Sequence, residues 1–157
     1  MAEDAAAPAP RVDFYVLAGS DARARLLFAC RIAEKAYLAG QRLFVRLDDA
    51  GGVQLFDELL WTFGDRSFVP HETFADDAQW QETPVLLGCG AEPTGPFDVL
   101  MNLGTALPAS AGAARIIEII DADPERRQAG RTRFRRYRDQ GAEPATHPIG
   151  GPGDASG

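Results

Sequence analysis

The apolar positions along the chain change period several times, and each change marks an element. Val12-Asp-Phe-Tyr-Val-Leu17 is short, β-branched and aromatic and stops at Ala18-Gly19-Ser20, which predicts a buried strand closed by a turn. Leu26, Cys30, Ala33 and Tyr37 then recur at helical spacing, with Ser20 or Asp21 placed to cap the helix and Gly40 to end it. Arg42 to Leu47 reads as a second strand. Strand, helix and strand in succession make a βαβ unit, whose crossover is right-handed in nearly every known protein. After the turn Asp48-Asp49-Ala-Gly-Gly52, the residues Phe56, Leu59, Leu60 and Phe63 mark one face of a second helix, with Trp61 near its end. The proline-containing Ser67 to His71 predicts a loop or edge segment, and the polar stretch Phe74 to Thr83 a loop. Three turn-bounded apolar runs of strand length follow: Pro84 to Cys89, Phe97 to Leu103 and Arg115 to Asp121. Asp123 and Pro124 supply a cap and a first-turn proline for a last helix that reaches Gln140 and stops at Gly141.

These elements, about five strands and three helices, predict a single α/β domain of the three-layer, Rossmann-like kind, a mostly parallel sheet with helices on both faces. A length of 157 residues fits one such domain. It is expected over residues 11–141. Residues 1–10, rich in Ala and Pro, read as a disordered N-terminal tail, and residues 142–157, glycine-rich from Gly150, as a flexible C-terminal tail. No apolar run approaches the roughly 20 residues of a membrane helix, and the start lacks the basic and apolar stretches of a secretion signal. The cytoplasm is therefore the expected location, with no membrane partner.

Charge changes this picture in one respect. The net charge of −7 argues against a general nucleic-acid binder, which needs a positive surface to displace counterions from phosphates. The average hides a polarity, since Arg126, Arg127, Arg131, Arg133, Arg135, Arg136 and Arg138 crowd into one segment while Asp48 to Glu92 is mostly acidic. Such asymmetry suggests an acidic partner for the basic end. Lys35, the only lysine, reflects a bias toward arginine.

Catalytic and cofactor chemistry finds little support. The turn Leu17-Ala-Gly-Ser-Asp-Ala-Arg23 has neither the second glycine nor the lysine of a phosphate-binding loop, and Gly88-Cys-Gly90 reads as a turn. There is no nucleophile elbow, and His71 and His147 read as structural or exposed. Asp48, Asp49, Asp76 and Asp77 are read as solvated carboxylates, and Cys30 and Cys89 as core thiols, so neither a metal nor a cofactor is expected. No enzyme activity is expected.

Two features stand out. Arg127, Arg131 and Arg135 lie four apart and stack along one face of the last helix, with Phe134 and Arg138 beside them. On pattern alone this is either a solvated arginine-rich face or an anion site whose guanidinium forks grip carboxylates beside an aromatic-lined pocket. An acidic peptide ending in an aromatic residue would suit the second reading. The other feature is Trp61-Thr-Phe-Gly-Asp-Arg-Ser-Phe-Val-Pro-His71, in which Phe68 is either buried or an interface anchor.

Taken in order, Val12-Asp-Phe-Tyr-Val-Leu17, Leu55-x-x-x-Leu59-Leu-Trp61, Ser67-Phe-Val-Pro-His71 and Arg131-x-Arg-Phe-x-x-Tyr137-Arg-x-x-Gly141 resemble the chi subunit family of bacterial DNA polymerase III over roughly residues 11–141. The resemblance implies a non-catalytic accessory subunit of the clamp-loader complex that bridges the psi subunit and the acidic C-terminal tail of single-stranded DNA-binding protein. It implies Arg127, Arg131 and Arg135 as tail contacts, with Phe134 and Ile120 lining the pocket for the tail's terminal Phe. It implies Phe68, supported by Trp61, as the contact for psi, or for another partner such as a helicase. Phe134 stands where the family often has Tyr, and Arg135 where Lys is found. The competing reading is a direct single-stranded nucleic-acid binder that uses the arginine helix, with aromatics stacking on bases.

Overall fold

The computed structural model describes residues 9–109 and 112–150. Along the chain run β1 (Arg11–Leu17), α1 (Ala22–Leu38), β2 (Leu43–Arg46), α2 (Ala50–Thr62), β3 (His71–Thr73), a 3-10 turn (Asp77–Gln81), β4 (Val85–Gly88), β5 (Phe97–Asn102), β6 (Ala113–Ile120), α3 (Pro124–Asp139) and β7 (Ala145–Ile149). The strands form one parallel sheet in the order β3-β4-β2-β5-β6-β1-β7. The Rossmann-like α/β architecture is thus as expected, with two short strands added at the sheet's edges.

Each helix starts where a carboxylate can take a free backbone N–H. Asp21 accepts from Arg23 N before α1, and Asp123 accepts from Arg126 N before Pro124 opens α3. Asp49 accepts from Gly52 N at 2.8 Å, which draws Gly51 and Gly52 out of the expected turn and into the first turn of α2.

One boundary needs correction. Part of the segment 142–157 expected as a flexible tail is a strand, because Ala145–Ile149 adds a parallel edge strand to β1, from Asp13↔Ala145 to Leu17↔Ile149. Gly141, at φ 97°, turns the chain out of α3. His147 then bonds the buried Asp13 through Nε2 at 2.9 Å, and its ring stacks on Tyr15 at 5.0 Å between centroids. The strand was hidden in the sequence because it is an edge strand, with Pro148 and no alternating apolar face. The expected tails over residues 1–8 and 151–157 lie outside the described residues.

The sheet is covered on both faces. Ala29, Cys30 and Ala33 of α1 and Phe56 and Leu60 of α2 pack with Val45, Leu87, Met101 and Ile119 on one face. Tyr137 of α3 packs with Phe14, Phe44, Leu100, Ile116 and Ile120 on the other. At Gly130 a Cβ would lie 2.9 Å from Ile120 Cγ2, so only glycine lets α3 approach β6 this closely. Cys30 is buried in the first cluster, where burial pushes its thiol up to about 12, while Cys89 is half-buried; both are free. Among the described residues no helix is long and apolar enough to cross a membrane.

Candidate protein-docking site

The arginines that crowd together in the sequence separate into two sets once α3 is placed on the sheet. Arg133 faces inward and is 4% exposed. Its Nε donates to Glu118 Oε2 at 3.0 Å, and its Nη2 lies 2.9 Å from Oε1. Tyr137 Oη and Asn102 Nδ2 donate to the same Oε2 at 2.7 and 3.0 Å, and Arg133 Nη1 donates to Thr105 O. Burial, together with the Glu118 charge and hydrogen bond, pushes the Tyr137 hydroxyl far up, so it remains a donor. Arg126 reaches back from the first turn to grip Asp121 in a two-point fork, Nε to Oδ1 at 3.0 Å and Nη2 to Oδ2 at 2.8 Å. These two arginines hold the fold together.

The remaining set faces outward. Arg131 and Arg135 are exposed and Arg127 half-buried, one helical turn apart, and among the described residues none of their side chains has an ion-pair or hydrogen-bond partner. Phe134 lies beside this stripe, half-buried, with its ring 5.2 Å from that of Phe14 and the Arg138 guanidinium 5.9 Å above its other side. Phe134 and Ile120 join the same apolar cluster, Ile120 at 7% exposure beneath Gly130. The structure therefore brings Arg127, Arg131, Phe134, Arg135 and Ile120 to one region, cations outside and apolar groups beneath.

The second feature lies on the other side of the sheet, at the end of α2. Val69 is fully buried, and the buried His71 bonds Val69 O through Nδ1 at 2.7 Å, while its Nε2 lies 2.8 Å from Asp57 Oδ1. With those two residues turned inward, Phe68 is left 58% exposed, and Trp61 is 53% exposed. The Phe68 and Trp61 rings are 5.7 Å apart, and Trp61 also lies over the His71 ring at 4.7 Å. Phe68 and Trp61 thus form one outward aromatic pair on a rigid footing.

Several polar residues were passed over in the sequence: Glu118, held by Asn102, and Asp121 anchor α3 from below, while Arg25 and Asp13 are buried elsewhere in the fold. Asp13 is buried and takes Arg115 Nε at 2.8 Å, Arg11 Nε at 3.0 Å and His147. A signal was present, since Ile116-Ile-Glu-Ile-Ile120 and Val12-Asp-Phe14 set a lone carboxylate inside an apolar strand, and such a group needs buried partners.

The sequence model of the family described as DNA polymerase III chi subunit, HolC, matches residues 10–145. The DNA polymerase III subunit chi of Pseudomonas aeruginosa is 40% identical over 132 residues, covering 83% of this chain and 91% of that protein. Proteins of the same description from Haemophilus influenzae and Escherichia coli are each 24% identical. The first aligns over 143 residues, 90% of this chain and 99% of that protein. The second aligns over 113 residues, 71% of this chain and 77% of that protein.

Proposed function

The chain belongs to the DNA polymerase III chi subunit family, and from that premise we propose that it serves DNA replication as a non-catalytic adaptor of the clamp-loader complex, bridging psi and the acidic C-terminal tail of single-stranded DNA-binding protein. The observation that carries this reading is the outward stripe Arg127, Arg131 and Arg135, without side-chain partners among the described residues and flanking Phe134 over an apolar base. Like charges one turn apart repel by a few tenths of a kcal/mol, a cost that an anionic ligand reverses. Carboxylates of the tail meet guanidinium forks, and a terminal aromatic side chain packs against Phe134 and Ile120. Phe134 lacks a hydroxyl, so it contributes apolar contact and no hydrogen bond. On the opposite side of the sheet, Phe68 and Trp61 supply the aromatic anchors expected of a second protein interface, for psi or a helicase.

Two faces on one rigid domain let both partners bind at once. A weak tail site then suffices, because many tails on one coated strand raise the local concentration without new contacts. DNA itself is hardly touched, and no cofactor takes part.

The test is fluorescence anisotropy of a labelled acidic peptide ending in Phe, titrated with this protein and with Arg131→Ala at low and moderate salt. The reading expects binding on the order of micromolar, weakened roughly tenfold by the substitution, since a hydrogen bond to a charged group contributes about 1.5–3 kcal/mol. Salt weakens it further by screening exposed charges. Absence of peptide binding at low salt, or tight binding of a bare single-stranded oligonucleotide in its place, sinks it.

A further inference from the structure

Arg25 of α1 is 8% exposed, yet among the described residues it has no carboxylate partner. Its Nε donates to Ile119 O at 2.8 Å and its Nη2 to Leu103 O at 3.2 Å, both neutral carbonyls, so the charges of Asp121 and Glu118 reach the guanidinium only through space. Buried charges are ordinarily paired, because removing an ion from water is costly. Burial, and after it the charge of Arg126, holds the Arg25 guanidinium down at about 10.

The place of this arginine in the fold matters as much as its charge. β1 and β6 are neighbours in the sheet, but the helix after β1 covers one face and the helix after β6 the other. The chain therefore parts at the C-terminal ends of these strands, where open parallel sheets form their ligand crevices. A cavity of roughly 240 Å³ opens there, walled by Arg25, Arg126, Arg133, Ile120, Asp48 and Thr105 from different elements. Arg126 and Arg133 are each committed to a carboxylate, Asp121 and Glu118. Asp48 faces the same space, and its Oδ1 accepts the N–H of Thr105 at 2.8 Å and the hydroxyl at 3.1 Å. Arg25 thus brings to the cavity a buried cation with no carboxylate in direct contact among the described residues.

We infer that this crevice is a binding site for a small oxyanion of the phosphate class, held by Arg25 and Arg126. The volume lies below the about 300–1,000 Å³ typical of sites for drug-sized ligands, so it suits inorganic phosphate rather than a nucleotide. The guanidinium N–H groups that Ile119 O, Leu103 O and Asp121 leave free on Arg25 and Arg126 can donate to the oxygens of a tetrahedral anion, and partial enclosure strengthens the attraction. Arg127, Arg131 and Arg135 of the tail stripe do not line the crevice, although Ile120 borders both sites.

The experiment is thermal unfolding of the full chain with increasing inorganic phosphate, ionic strength being held constant with sodium chloride. The expected result is a saturable rise in Tm of several degrees, the mark of a ligand that binds only the folded state. The rise disappears in Arg25→Met, shrinks in Arg126→Gln and persists in Arg131→Ala, which removes the tail contact alone. A rise that sodium chloride reproduces, or one that survives Arg25→Met, overturns the inference. Should Arg25→Met fail to fold, phosphorus NMR of inorganic phosphate with the unaltered protein decides: line broadening that excess sulfate reverses supports the site, and unbroadened lines reject it. Because Arg131→Ala weakens peptide binding on the adaptor reading but spares the phosphate response, failure of one leaves the other standing.

Discussion

Glu118 shows what one residue can demand of its neighbours. It sits in the middle of β6 with no exposure to water, and its two oxygens take Arg133, Tyr137 and Asn102 from two other elements. Removing one partner of a buried ion pair strands the other, a loss of about 3–5 kcal/mol. Glu118→Ala is therefore expected to lower stability by that amount in urea unfolding. The double change Glu118→Leu with Arg133→Met should recover only the part due to the stranded arginine, since it still leaves the buried Tyr137 hydroxyl without its acceptor. A recovery of nothing would mean that the pair does more than satisfy itself. Cys30 illustrates burial prevailing over charge: Arg23 and Arg31 pull its thiol down, yet burial pushes it up to about 12, and it stays protonated at neutral pH. A thiol reagent applied to the native protein is expected to label Cys89 well before Cys30, the order being read by mass spectrometry.

Among the elements, α3 and β7 depend on single contacts. α3 lies close against β6 because Gly130 has no side chain to meet Ile120, and that approach also sets where Phe134 and the arginine stripe emerge. Gly130→Ala should force the helix outward at a cost of about 1–3 kcal/mol for overpacking. In a chain of this length that corresponds to a fall in Tm of roughly 2–4 °C per kcal/mol. A Gly130→Ala protein as stable as the original would show that α3 tolerates the shift. β7 is tied to the sheet by its pairing with β1 and by His147 on Asp13. Truncation after Gly141 should lower Tm and raise hydrogen exchange in β1, whose outer edge it uncovers. Unchanged exchange in β1 would make β7 an ornament of the fold.

Across the whole molecule, acid stability gathers the buried carboxylates. Burial raises the carboxyl of Asp13, but hydrogen bonds from His147 and Arg115 and the charges of Arg115 and Arg11 outweigh it and bring the group below the ordinary 3.8. Burial likewise raises Asp121, and the Arg126 hydrogen bond, a backbone hydrogen bond at Asp123 and the nearby charges of Arg126 and Arg25 outweigh it. A carboxylate lowered in the folded state contributes stability that is full above its unfolded pKa and is lost as pH falls through the folded one. Urea midpoints should therefore drop as pH falls below about 4. In Asp13→Asn the slope of stability against pH over that acid range should be shallower. An identical slope in the variant would assign the acid loss to other groups. The molecule also divides its charge: a chain of net −7 keeps a cationic stripe on one helix, so an acidic partner is drawn to α3 and repelled elsewhere.

Local rules carried much of this into the sequence. The caps at Asp21 and Asp123, the proline at 124, the glycine at 141 and the switches of apolar period were enough to place three helices and the five longer-range apolar strands, because each signal acts within a few residues. The four-residue spacing of Arg127, Arg131 and Arg135 put them on one face for the same reason. What escaped was settled by contacts between distant segments. β7 has no apolar pattern and exists through β1 and Asp13, some 130 residues away in sequence. Which arginines of α3 turn inward depended on Glu118 and Asp121 at the end of β6, and the crevice behind Arg25 depended on where two neighbouring strands send their helices. A periodic pattern tells which face of an element is apolar, but only the packed sheet decides which charge finds a buried partner and which is left facing outward.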